Sequence, residues 1–383
     1  MVKTGLFRLV KEGYLADFLK DRRLGLLCHQ AAVLPDLTPA HVALKALFPE
    51  ELVLLFAPQH GLSGTAQANM DFSADSVEPE TGLPVISLYG PRLFPQEEHL
   101  AAIDVLLIDL QDVGCRVYTY VWTLLLCLKA CARAGVAVVV LDRPNPLGGA
   151  QEGPLLEPDL FSFVGLFPLP MRHGLTLAEL ALFFKEKMAL DLELKVVPLA
   201  GWRRDMFFPE TGLPWLPPSP NMPRFETALV YPGQVLLEGT NLSEGRGTTT
   251  PFEVFGAPWL EPEKISHRLE GLPGVYLVNC EFVPWFDKWA GRVCRGGRLF
   301  VSDPRLFKPV RTSLLLLQLI KKEFPEFEFR RPPYEFEWQK WPFDIIVGNK
   351  KVRSLLEEGL WEGILDEGLE EFRAETRPFL LYT

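Results

Sequence analysis

The chain has 383 residues, 48% of them apolar and 23% charged, with a formal net charge of −10. That length and apolar share support a large core in one or two domains and exclude a disordered or low-complexity chain. The acidic balance, with no Lys/Arg-rich run, excludes a phosphate-backbone partner such as nucleic acid. No stretch approaches the ~20 apolar residues that a membrane helix needs.

Residues 1–25 carry nine charges, among them Lys3, Arg8, Asp17 and Arg23. They leave no uninterrupted apolar run of the kind a signal peptide uses, so the expected location is cytoplasmic. A secreted protein written without its leader is the alternative.

Helical patterns are expected at about 6–21, 38–48, 96–102, 120–134 and 175–188. Between them lie apolar runs at Leu24–Cys28, Leu52–Phe56, Val85–Leu88, Val105–Ile108 and Val136–Leu141, with Leu192–Val197 reading as an edge strand. Repeated strand–helix alternation predicts an α/β fold with a doubly wound, mostly parallel sheet. Residues 198–236 are rich in proline and tryptophan and read as a long ordered connection, a domain boundary or the wall of a cleft. Beyond them, strands near 275–278 and 298–301 and helices over 312–323 and 352–358 predict a smaller α+β C-terminal domain. The expected division is 1–226 and 227–383, with the site at the junction.

In parallel sheets, ligands bind beyond the carboxyl ends of the strands. Here His29, Gln59, His60, Tyr89, Asp109, Asp112, Arg116, Tyr118, Asp142, Arg143 and Asn145 all follow such ends. Neither G-x-G-x-x-G nor G-x-x-x-x-G-K-[ST] occurs, so nucleotide binding has no support. Six cysteines without Cys-x-x-Cys or zinc-finger spacing predict buried free thiols and no metal.

The segment Leu237–Thr248 joins Glu238 and Glu244 to Gly239, Gly245 and Gly247, with Asn241 and Arg246 between them. It has no apolar period, and its glycines permit turns and close approach of a ligand to the main chain. Either carboxylate can act as acid, base or nucleophile, or can cap backbone amides or pair with Arg246. His60 can shuttle a proton or bond a nearby carbonyl. Asp109, Asp112, Arg116, Asp142 and Arg143 serve equally as a substrate surface or as structural ion pairs. Arg172-His173 fits a carboxylate-binding turn or a surface turn.

Taken in order, Ala57-Pro-Gln-His-Gly61, Asp109-Leu-Gln-Asp-Val-Gly114, Leu141-Asp-Arg-Pro-Asn-Pro-Leu-Gly-Gly149 and Arg172-His-Gly174 resemble the exo-β-N-acetylmuramidase (NamZ-like) family, once a domain of unknown function. So do Pro217-Pro-Ser-Pro-Asn-Met-Pro223, Tyr231-Pro-Gly233 and Glu238–Thr248. The resemblance implies a Rossmann-like N-terminal domain, a cleft at the domain junction and no cofactor. It implies hydrolytic release of N-acetylmuramic acid from the non-reducing end of peptidoglycan fragments.

One position departs from the family pattern. Its first motif usually reads Pro-Glu-His-Gly, and that glutamate is a leading candidate for the catalytic acid, whereas this chain has Gln59. On that resemblance Glu244 becomes the expected acid/base, with Glu238 as the second carboxylate, His60 assisting and the sugar's acetamido oxygen as an internal nucleophile. Gln59, Asp112, Arg116, Tyr118 and the other strand-end residues are expected to hold the sugar, with Arg143 or Arg172 pairing its lactyl carboxylate. The alternative is a muropeptide-binding or sensing protein that cleaves weakly or not at all.

Overall fold

The computed structural model describes residues 1–67 and 72–383. Among the described residues, ten strands form two sheets: β1 (Leu24–Cys28), β2 (Leu52–Ala57), β3 (Ser76–Val77), β4 (Pro84–Ser87), β5 (Val105–Asp109), β6 (Ala137–Leu141) and β7 (Leu194–Val197), then β8 (Val254–Ala257), β9 (Val275–Phe282) and β10 (Cys294–Val301). The large sheet has the order β3-β4-β2-β1-β5-β6-β7. Only the short β3 runs antiparallel, against β4. The small sheet is antiparallel, ordered β8-β10-β9.

The expected α/β class and the edge position of 194–197 are both found. Strand side chains alternate between two faces, as a period of two requires. Leu24, Leu26 and Cys28 enter one core, whereas Leu27 enters the other with Phe56, Leu106, Ile108 and Val140. The second core continues without a break into Phe255, Leu299, Leu316, Phe343 and Trp361 of the C-terminal part.

The first helical pattern divides in two, Gly5–Glu12 and Ala16–Leu19. Gly13, at φ 71°, ends the first helix in a left-handed cap whose N–H meets the Arg8 and Leu9 carbonyls. The stretch 198–236 is not wholly a connection, since Phe225–Gln234 is helical. Pro232 lies inside that helix, and the chain then tightens into a 3₁₀ turn, Val235–Gly239. That turn carries Glu238, so the polar loop starts from a fixed element. The helix Pro342–Val347, absent from the sequence reading, packs on the same turn.

Sheet order changes direction at β1, which has β2 on one side and β5 on the other. That switch point is where doubly wound sheets open a crevice. Here the two strand ends are tied together, because the Gln111 backbone N–H donates to His29 Nε2 at 2.8 Å. The polar pocket lies to one side, over the end of β2 and the segment after β5.

Candidate active site

Beyond β2 the backbone turns sharply, with His60 at φ 74° and Gly61 at φ 79°. A left-handed histidine is uncommon, and His60 is held there by a 2.6 Å bond between its Nδ1 and the Ala66 carbonyl. Gln59, next to it, accepts at Oε1 from the Thr119 hydroxyl at 2.6 Å. Thr119 precedes the helix Tyr120–Ala134 as its N-cap, so the helix start fixes the glutamine.

Gln59, His60, Tyr118 and Thr119 form one side of a pocket whose other side carries Tyr231, Glu238, Arg246, Tyr334 and Glu335. The space is about 410 Å³ including its open mouth. Ser219, Asn221 and Met222 close one end, so the proline-rich stretch does wall a cleft.

Gly245 and Gly247 take φ values of 76° and 79°, which swing Arg246 back toward the turn that holds Glu238. Arg246 Nη2 meets Glu238 Oε1 at 2.6 Å, and the Tyr334 hydroxyl donates to Glu238 Oε2 at 2.6 Å. Burial works to raise the Glu238 carboxyl, but the Arg246 charge and the Tyr334 hydrogen bond hold it below the usual carboxylate range. Glu238 is therefore an ionised carboxylate on the pocket wall.

Glu335 has the opposite environment. Tyr334 and Glu337 exchange two backbone hydrogen bonds at 2.9 Å each, and the residues between them, Glu335 and Phe336, sit at φ 43° and 64°. This is the geometry of a type I′ turn, which ordinarily takes Asn-Gly. Here it is held by packing, with Phe336 stacked on Phe72 and edge-on to Tyr89 and Phe163. The Tyr89 hydroxyl, just past β4, donates to Glu335 Oε2 at 2.8 Å. Burial, with Glu238 nearby, pushes the Glu335 carboxyl up to about 7, although hydrogen bonds from Tyr89 and Gln59 pull the other way.

Of the residues expected at the site, Gln59, His60, Tyr118, Glu238 and Arg246 line the pocket. Glu244 does not. It lies behind Arg246, 1% exposed, with Arg246 Nε at 3.3 Å and Lys288 Nζ at 2.6 Å. Asp109 and Arg143 form a buried bidentate pair, and Arg143 also donates to the Val33 carbonyl. Arg116 is fully buried and donates to the carbonyls of Pro154, Leu169 and Ile346.

The other strand-end residues also tie loops together. Asp142 accepts from the Tyr382 hydroxyl and the Ala178 N–H, and Asn145 binds the Leu175 carbonyl. Arg172 donates to the Leu147 carbonyl at 2.5 Å. His173 Nδ1 accepts from the Leu175 N–H, which leaves the proton on Nε2, 3.2 Å from Asp112 Oδ2. Asn241 points to the backbone of Glu326 and Glu328. Neither arginine expected to meet a lactyl carboxylate is on the wall, and Arg246 is the only arginine there among the described residues.

Thr119, Ser219, Asn221, Tyr231, Tyr334 and Glu335 were missed. Ser219, Asn221 and Tyr231 lie within quoted motifs and carried that signal. Glu335 follows Pro332-Pro333-Tyr334, a turn-forming stretch whose fold the local sequence does not give. Among the described residues, no group of three or more His, Cys, Asp or Glu is arranged to hold a metal.

Residues 24–226 match the N-terminal family model of exo-β-N-acetylmuramidase NamZ, and residues 229–382 match its C-terminal model. The chain belongs to the exo-β-N-acetylmuramidase NamZ family. It is 40% identical over 389 aligned positions to the peptidoglycan β-N-acetylmuramidase NamZ of Bacillus subtilis (strain 168), covering 100% of this chain and 91% of the relative. Two crystal structures of DUF1343 family proteins from Bacteroides fragilis NCTC 9343 resemble it along 100% of its length and 99% of theirs. Their TM-scores are 0.89 and 0.79, at 31% and 26% identity. Within the NamZ family framework, the pocket joins residues of both matched segments: Gln59 to Met222 come from the first, Tyr231 to Glu335 from the second.

Proposed function

We propose that this chain is a glycoside hydrolase that releases N-acetylmuramic acid from the non-reducing end of peptidoglycan fragments. The observation that carries the reading is the pair of carboxyls in one pocket, Glu238 held low and Glu335 raised to about 7. Glycoside hydrolysis uses two carboxyl groups whose environments separate their proton affinities. Hydroxyl and amide groups of Thr119, Ser219, Asn221 and Tyr231 suit sugar hydroxyls, and His60 and Arg246 add polar contacts. Membership of the NamZ family, with a B. subtilis relative of that activity, supports the substrate class.

The division into units 1–226 and 227–383, with the cleft between them, belongs to this proposal, and the two family matches support it. So does a cytoplasmic setting: all six cysteines are free, as in a reducing compartment. No helix among the described residues is long and apolar enough to cross a membrane.

A binding protein without turnover was motivated by Gln59 alone. It loses that support because Glu335, hydrogen-bonded to Gln59, supplies a carboxyl at the same spot. The test is release of N-acetylmuramic acid from its disaccharide with N-acetylglucosamine, followed by mass spectrometry. Turnover is expected; binding in a calorimeter without any release would overturn the reading.

A further inference from the structure

A glycosidic oxygen lies where the terminal sugar meets the leaving sugar, so a proton donor has to stand between the two subsites. Beside the polar pocket runs a second cleft of about 670 Å³ including its open mouth, lined by Phe94, Leu126, Phe161, Phe163, Leu166 and Phe336. Among the described residues, Glu335 alone lines both spaces.

The other candidates are occupied differently. Gln59 is an amide and has no acidic proton to give at neutral pH. Glu238 is tied to Arg246 and Tyr334 as an anion, and Glu244 is sealed behind Arg246 and beside Lys288. The turn that presents Glu335 uses left-handed backbone at two residues that have side chains, a strained conformation for each. Such strain persists where surrounding structure enforces it, and here Tyr89, Phe72 and Phe163 do so.

We propose that the Glu335 carboxyl is the general acid of this enzyme, placed on the wall between the sugar pocket and the aromatic cleft, which takes the leaving sugar. The inference rests on the glycosidase reading above. Glu335 passes its proton to the glycosidic oxygen as the bond from that oxygen to the anomeric carbon breaks, and the bond's electron pair stays on the leaving oxygen. Water supplies the hydroxyl to the anomeric carbon and the proton that restores the acid. The carboxyl group missing at position 59 is thus supplied from the far end of the chain. Its raised proton affinity keeps the donor loaded near neutrality.

Glu335→Gln and Glu335→Asp test this on two substrates: the natural disaccharide, and a dinitrophenyl glycoside of N-acetylmuramic acid whose leaving group needs no proton. Glu335→Gln is expected to lose about 100-fold or more in kcat/KM on the disaccharide, but less than about 10-fold on the aryl glycoside. Glu335→Asp keeps an acid and should retain part of the disaccharide rate. Equal losses on both substrates, or full disaccharide activity in Glu335→Gln, would overturn the assignment while leaving the glycosidase reading intact. A wild-type protein inactive on both substrates would remove that reading, and this inference with it.

Discussion

The Thr119 hydroxyl donates to the Gln59 carbonyl oxygen at 2.6 Å, and this decides which end of the amide faces Glu335. With Oε1 engaged, the Gln59 NH₂ group is the end that hydrogen-bonds the Glu335 carboxyl and lowers its proton affinity. The amide thus works against the burial that raises Glu335.

Replacing Gln59→Glu exchanges that donor for a second carboxyl. Two adjacent carboxyls cannot both ionise easily, so the pair retains one proton to higher pH. The alkaline limb of kcat/KM should move up by at least about one pH unit, an approximately tenfold gain on that limb. Rates of the variant and parent from about pH 5 to 9 check this, and superimposable profiles would show that the two positions share no proton.

Tyr334→Phe removes the 2.6 Å donor to Glu238 while leaving Arg246 in place. A hydrogen bond to the charged form lowers a carboxyl's pKa, so its loss raises Glu238. The acidic limb of the rate profile should then shift to higher pH. Activity at neutral pH should fall by less than about tenfold, since the carboxylate stays ionised beside Arg246. A shift of the alkaline limb instead would exchange the roles given to the two carboxyls.

The sheet was legible because β1, β2, β5 and β6 are short apolar runs set between helical patterns, and Gln59 and His60 were found through their place after one of them. Glu238 and Arg246 stood out in a loop whose composition fits little else. That composition does not say which of Glu238 and Glu244 faces the pocket; the left-handed Gly245 and Gly247 decide it. Arg116 looks like a site residue in sequence, yet its partners are carbonyls 38, 53 and 230 residues away. Glu335 was invisible for a related reason. Its turn lacks the usual glycine, and its anchor, Tyr89, lies 246 residues upstream.

Asp142 gives a stability test away from the pocket. Burial raises its carboxyl to about 7, against hydrogen bonds from Tyr382, Thr176 and Ala178. The folded state then binds more protons than the unfolded chain between the ordinary aspartate value of 3.8 and about 7. That contribution is full below the lower value and is lost as pH rises through the upper one. Glu152, raised to about 6, has the same sign. Urea unfolding should show stability falling from about pH 5 to about pH 7, with a shallower slope in Asp142→Asn. An identical slope in the variant would remove Asp142 as a source.

Lys288 neutralises a carboxylate that water does not reach. Its ammonium sits 2.6 Å from Glu244 and donates to the carbonyls of Leu237 and Thr240, beside the turn that carries Glu238. Breaking one side of a buried pair costs about 3–5 kcal/mol when the remaining charge is left uncompensated, but Arg246 Nε stays 3.3 Å from Glu244 and offsets part of that cost. Lys288→Met should therefore destabilise the fold by less than that, about 1–3 kcal/mol, lowering the urea midpoint. The double variant Lys288→Met with Glu244→Gln removes both charges and should recover part of the loss, giving a favourable coupling of about 1–3 kcal/mol in a double-mutant cycle. Because Glu244 is off the pocket wall, Glu244→Gln should keep measurable activity, with its main effect on stability. A loss of turnover in Glu244→Gln as large as that in Glu335→Gln, in a variant that melts normally, would return Glu244 to the reaction.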